Sequence, residues 1–240
     1  MNAHWLLIPV IISVIFTYQS AFKNNKLTCD NYTQNTYLYT ITYMFIMAFM
    51  ILYLKQNPKL LTLNIITLII ALIINIVSLL IILFVSKEYV LLKHVISLLF
   101  ITTSSILLTF IFEYFGSKAV VFAIITTVIL FITLSVLAWQ FQNLISSKVS
   151  VAFFIVFVIL IIAELVIGLM YPSSLLEKAI ILIVLMVICY LVLVKTKRMI
   201  ETSKSCIPPP DYVKESIGFI VSIENILIRV LSLKSGRRIK

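Results

Sequence analysis

The sequence predicts an all-α integral membrane protein, a polytopic helical bundle of about seven spans closed by a final amphipathic segment. Three observations predict it. Apolar residues make up 62% of the 240 residues, with a mean hydropathy of +1.17. Charged residues reach only 12%, and there are four glycines. The apolar residues also come in runs of about 20, the length of helix that crosses a hydrocarbon core. A soluble domain, near ~45–50% apolar and ~25% charged, is excluded, and so is a disordered chain. The runs are apolar on every face, which excludes a closed barrel built from ~10-residue alternating strands.

Charge, proline and polar clusters cut the chain into spans at 3–22, 37–54, 61–85, 90–112, 119–139, 149–170 and 176–194, then a last segment at 211–233 and a basic tail at 234–240. The whole is read as a single membrane domain, 1–240. No basic region precedes the first run, so it is expected to be a retained helix and not a cleaved signal. The connectors KQNPK at 55–59, SKEY at 86–89, EYFGSK at 113–118 and YPSSLLEK at 171–178 leave room only for turns, so neighbouring spans should pack antiparallel. Pro208, Pro209 and Pro210 form a stiff break, because a helix cannot continue through them, and they fix where the last segment begins.

That last segment is unlike the others. It carries Asp211, Lys214, Glu215, Glu224 and Arg229, and a plain span with Glu224 and Arg229 inside it would cost several kcal/mol. The net charge of +10 is read as loop charge that orients the chain and faces anionic lipid, since apolar runs interrupt any continuous basic face for nucleic acid. If the last segment enters and leaves on one side, the loops at 23–36, 86–94, 140–148 and 195–214 share a face with the C-terminal tail. That face then holds 15 of the 19 basic residues, leaving Lys55, Lys59, Lys118 and Lys178 opposite. A full crossing divides them about evenly. The charge count therefore favours a re-entrant segment and a cytosolic tail with Lys234, Arg237, Arg238 and Lys240; the alternative is a tilted span whose charges face the bundle. The sequon Asn31-Tyr32-Thr33 falls on the cytosolic side of this arrangement and is expected to stay unmodified.

Cys29, Cys189 and Cys206 are odd in number and lack CxxC or Cys/His ligand spacing, so neither a disulfide framework nor a metal site is indicated. Nucleotide-binding, zinc-protease and serine-hydrolase motifs are absent, no nucleophile, base and oxyanion group occur together, and the expectation is a protein that is not an enzyme and holds no cofactor. His4 and His94 lie near span ends and read as interfacial side chains. What remains is polarity inside the membrane. Glu164 sits deep in VILIIAELVIGLM, where an ionised carboxylate costs ~3 kcal/mol unless paired or protonated, so it should face the bundle and meet Lys195 or Arg229, or handle ions or protons. Asn75, Glu224 and Asn225 are further candidates for an ion path. Asn64, Ser104, Ser105, Thr126 and Thr127 read as polar contacts between helices, each worth ~0.6 kcal/mol.

The C-terminal part resembles the transmembrane Bax inhibitor motif family, in particular its viral branch, the Golgi anti-apoptotic proteins. Asp211, Tyr212 and Val213 open the last segment as in that family, Asn225 follows fourteen residues after Asp211, and SGRRIK supplies the short basic tail. Thr196 stands in register in the preceding helix, with Met199 and Ile200 after it, and AIITTVILF at 123–131 is similar to the Thr-Thr helix of the viral members. The likeness covers roughly residues 100–240. It implies six spans plus a re-entrant segment once residues 3–22 are set aside, suppression of cell death or control of ion balance in Golgi or endoplasmic reticulum membranes, and the bilayer, other membrane proteins or a second copy as partners. The departures are specific. Lys195 and Ser222 stand where the family pairs two aspartates as a pH sensor, Ser104 stands where it usually carries Glu, and Asp30 and Asp211 are the only aspartates in the chain. A pH-gated calcium leak is therefore not implied. The competing classes are a small channel or transporter using Glu164, and a viral scaffold that binds host membrane proteins.

Overall fold

The computed structural model describes residues 3–57, 64–145, 159, 160, 162–164, 166 and 175–235. A single 3-10 turn at Ala3–Leu6 leads into α1 (Leu7–Ala21), followed by two short strands, β1 (Phe22–Lys23) and β2 (Lys26–Leu27). Then come α2 (Tyr32–Gln56), α3 (Ile65–Phe84), α4 (Val90–Phe115), α5 (Ser117–Gln140), α6 (Leu175–Lys204) and α7 (Tyr212–Ser235). Residues 159, 160, 162–164 and 166 are helical. Lys59, the rest of the span expected at 149–170, and Arg237, Arg238 and Lys240 lie outside the described residues. Among the described residues, six helices, α2 to α7, are long and apolar enough to cross a membrane. The all-α membrane architecture follows.

Where helix ends differ from expectation, the cause is local. α2 starts at Tyr32 and not at 37, because the polar residues Asn35 and Thr36 are fully buried against protein and need no apolar flank. α6 runs ten residues past 194, carrying Lys195, Lys197 and Arg198 on regular helix. α7 is one unbroken helix of 24 residues, about 36 Å at 1.5 Å per residue. The re-entrant path expected from the charge count needs the backbone to turn back, and α7 does not turn. Glu215, Glu224 and Arg229 are half-buried and Lys214 is exposed; 56% of the apolar window of α7 is buried, against 17% in α3 and in α5, whose isoleucines and valines are largely exposed.

The chain forms two compact units. The first comprises Met1–Glu113 and Thr202–Ile220, and the second Tyr114–Glu201 and Val221–Lys240. In the first, Asn24 and Asn25 both take positive φ (50° and 58°), the backbone of a two-residue hairpin that twists with its strands. The hairpin reverses the chain so that α1 lies along α2, where the Thr17 and Thr42 hydroxyls bond at 2.9 Å. Asn64 caps α3 by accepting from the Thr67 amide at 2.8 Å. The Asn75 amide joins α3 to α4, donating to Ser104 Oγ at 2.9 Å and Thr103 Oγ1 at 3.0 Å. The Ser105 hydroxyl donates within its own helix, to the Ile101 carbonyl.

The absence of a disulfide expected from cysteine spacing is corrected: Cys29 and Cys206 are bonded, 177 residues apart in sequence with Cα atoms 5.9 Å apart. Spacing rules read local clusters, and this pair meets only because the chain after the hairpin and the chain after α6 arrive at one place.

Between α4 and α5 a single residue, Gly116, makes the break at φ 80°, ψ 156°, a region that side chains with a Cβ rarely enter. A Cβ there would meet nothing within 4 Å, so strain and not clash sets its cost. Gly116→Ala is expected to lower stability by about 1–3 kcal/mol, read as a reduced midpoint of SDS-driven unfolding in bicelles.

Candidate functional site

Of the residues singled out from sequence, Asp211 precedes α7 and Tyr212, Val213, Ser222, Glu224 and Asn225 lie on it. Its N-terminus is built by Asp211, directly after the three prolines. One carboxylate oxygen of Asp211 accepts from the Lys214 amide at 3.3 Å, capping the helix, and the other meets Lys93 Nζ of α4 at 2.5 Å. The Lys93 side chain is only 3% exposed and the Asp211 side chain 21%. A cation this enclosed keeps its charge at tolerable cost only through its carboxylate.

Tyr212, the next residue, is fully buried. Its hydroxyl donates to the Thr28 carbonyl at 2.5 Å and accepts from Asn35 Nδ2 at 3.2 Å. Asn35 is a hub: its amide also donates to the Asp30 carbonyl at 2.8 Å, and its Oδ1 accepts from the Ser20 hydroxyl. The Tyr212 ring stacks on Tyr39 at 5.4 Å between centroids and leans on Tyr32 at 5.2 Å. Val213 is buried beside it. The loop that supplies Thr28 is steadied by a Lys23–Asp30 pair at 2.5 Å, and the Lys23 ammonium holds the Asp30 carboxyl below its ordinary range.

The cluster continues along α2. His94 Nδ1 lies 2.7 Å from the Val90 carbonyl, so that nitrogen carries the proton in the neutral ring, and Nε2 accepts from the Tyr39 hydroxyl at 3.0 Å. Ser97 donates to the His94 carbonyl at 2.8 Å and therefore accepts from the Tyr43 hydroxyl, also at 2.8 Å. Neither ring nitrogen of His94 is left open to act as a base or a ligand. Among the described residues no group of three His, Cys, Asp or Glu side chains could hold a metal ion.

This Asn35–Tyr39–Tyr43 ladder was not among the residues expected to matter. The signal was present, since polar side chains four apart share one helix face, but it lies inside an apolar window whose average conceals it.

In the second unit, two of the residues singled out from sequence come together: Lys195 Nζ donates to Ser222 Oγ at 2.8 Å. Thr196 beside it is fully buried. Glu164 forms its ion pair with Arg229, one of the two cations expected for it. Both side chains are largely enclosed, 11% and 17% exposed. Glu224 and Asn225 are half-buried on α7, and the Asn225 amide turns back to the Val221 carbonyl of its own helix at 2.7 Å. Asn75 belongs to the first unit, where its amide is occupied by α4. As a chemical arrangement, these are cation–acceptor pairs and hydrogen-bonded hydroxyls that fix helices. A further cation sits in the C-terminal part of α6: Lys197 Nζ donates to the Ile145 carbonyl at 2.5 Å and pairs with Glu201 at 3.5 Å.

The apolar helices and the enclosed, charged last helix define a multi-pass helical membrane protein. Over residues 29–238 the chain matches the family described as inhibitor of apoptosis-promoting Bax1. It belongs to that Bax inhibitor family, and residues 1–28, with α1 and the hairpin, precede the matched region. Neither the curated proteins nor the solved structures contain a match.

Two outcomes follow from the pairs. Glu164→Gln leaves the Arg229 guanidinium enclosed without its carboxylate and should cost about 3–5 kcal/mol in unfolding midpoint, with Arg229→Gln in the same chain recovering a large part. Asp211→Asn keeps a good helix cap but strips Lys93 of its counter-charge. A loss of about 3 kcal/mol is expected, relieved by adding Lys93→Met, and a loss below ~1 kcal/mol would show that the cap and not the ion pair matters at this position.

Proposed function

We propose that this chain suppresses cell death from internal membranes, Golgi or endoplasmic reticulum, as a divergent and viral-type member of its family that works without an acid-responsive gate. It acts by contact with other membrane proteins or a second copy of itself in the bilayer, with no enzymatic step, no cofactor and no nucleic acid. The observation that carries the reading is the Lys195–Ser222 hydrogen bond. Two carboxylates at such a position share a proton, and their repulsion lets acid shift a closed-to-open equilibrium. A lysine and a serine offer no such step, because ordinary lysine and serine side chains do not change protonation between about pH 5 and 8. A direct hydrogen bond from a cation instead favours one arrangement of the two helices. The alternative, a small channel or transporter using Glu164, has less support, since that carboxylate faces a guanidinium.

The test is calcium flux in proteoliposomes at pH 6 and pH 8, paired with survival of expressing cells under an intrinsic apoptotic stimulus. The expected result is a small leak that is equal at both pH values, with improved survival. Lys195→Asp combined with Ser222→Asp should introduce a leak that differs between the two pH values. A large, steeply pH-dependent leak from the unaltered chain, or absence of protection by correctly inserted protein, would overturn the reading.

A further inference from the structure

The bonded pair Cys29–Cys206 has no part in the function just proposed, and its surroundings raise a chemical question. Two contacts set connecting loops of the first unit on one side: Cys206 bonds Cys29, and Lys87 Nζ donates to the Ile207 carbonyl at 2.7 Å. Of the described basic residues in the loops and helix ends of that unit, Lys23, Lys26, Lys87, Lys93, Lys204 and Lys214 lie on that side, against Lys55 at the far end of α2. Counted on the loops of this unit, the imbalance points by the positive-inside rule to a cytosolic cysteine face. A disulfide there stands in a reducing compartment, where such bonds are characteristically transient or redox-sensing and not permanent.

We propose that Cys29 and Cys206 form a thiol–disulfide site that exchanges with a low-molecular-weight thiol such as glutathione. Both residues are partly exposed, so a small thiolate can reach them. Lys26 and Lys204 lie within three residues of them in sequence, and nearby cations favour the thiolate form that exchange requires. In the reducing direction, a glutathione thiolate attacks one sulfur of the Cys29–Cys206 bond. It forms a mixed disulfide and expels the other cysteine as a thiolate. A second glutathione thiolate then attacks the glutathione sulfur of the mixed disulfide, releasing the second cysteine and forming glutathione disulfide. Two electrons pass from two glutathione thiols to the two cysteines, and their two protons end on the cysteine sulfurs. The reverse sequence oxidises the pair.

The site is placed to affect α7. Cys29 lies between Thr28, whose carbonyl takes the Tyr212 hydroxyl, and Asp30, whose carbonyl takes the Asn35 amide. Cys206 lies just ahead of the prolines and Asp211. Reduction removes the covalent tie between the two segments that hold the start of α7 and leaves the hydrogen bonds, the Tyr212 ring contacts and the Lys93 pair.

The experiment uses the full chain in sealed microsomes, whose cytosolic face is outward, equilibrated with mixtures of reduced and oxidised glutathione that do not cross the membrane. Samples are quenched in acid, then denatured and labelled with a polyethylene-glycol maleimide that adds a visible mass for each free thiol. The expected result is a change of two labels together as the glutathione ratio is varied, absent in Cys29→Ser and in Cys206→Ser, with Cys189 labelled equally throughout. A pair that stays oxidised in sealed vesicles but is reduced once detergent opens them lies in the lumen as a permanent bond, and this overturns the proposal. So does a pair that resists reduction even in detergent, or one that remains reduced at every ratio.

Discussion

The constraint on which the rest of this structure depends is that a charged helix must be enclosed before it can sit among apolar ones. α7 carries Lys214, Glu215, Glu224 and Arg229, yet it is the most enclosed of the helices long enough to span. Hydrocarbon cannot solvate such groups, and Glu224 and Arg229 are half-buried in protein, while Lys214 in the first turn stays exposed. In α3 and α5 it is isoleucines and valines that are exposed. The Glu164–Arg229 and Lys195–Ser222 pairs meet their charges within protein.

The start of α7 is held differently from its middle. Along the second unit, single cation–acceptor contacts suffice. At the N-terminus an ion pair, a helix cap, an aromatic stack and a buried amide converge on Asp211 and Tyr212. The Asp211-Tyr212-Val213 opening is thus a structural clasp: the carboxylate neutralises a buried lysine, the phenol ties a distant carbonyl, and the valine is buried.

Much of the architecture was legible in the sequence, because span length is set by the thickness of hydrocarbon and each apolar run announces itself without reference to any other. The Glu164 partner was narrowed to two cations by the same reasoning, since a deep carboxylate must meet one of the few charges at its depth, and only the three-dimensional arrangement selects Arg229. What was not legible depends on distance along the chain. Cys29 with Cys206, Thr28 with Tyr212 and Lys87 with Ile207 are each separated by more than a hundred residues, and no local pattern marks them. Charge counting favours a re-entrant last segment because it treats every charge on a helix as exposed to the bilayer, whereas α7 is one unbroken helix with Glu224 and Arg229 half-buried.

The bond from Tyr212 to Thr28 closes 184 residues of chain. A ribosome adds roughly 5–20 residues per second, so Thr28 waits roughly 10 to 40 s after it is made before its partner exists. During that interval α1, the hairpin and the first turns of α2 are inserted with the Asn35 amide and the Thr28 carbonyl unmet by α7. The earliest-made part of the protein is thus the last to acquire its final contacts, and chains halted before residue 212 would leave that polar ladder open to whatever the translocation site and its chaperones can offer it.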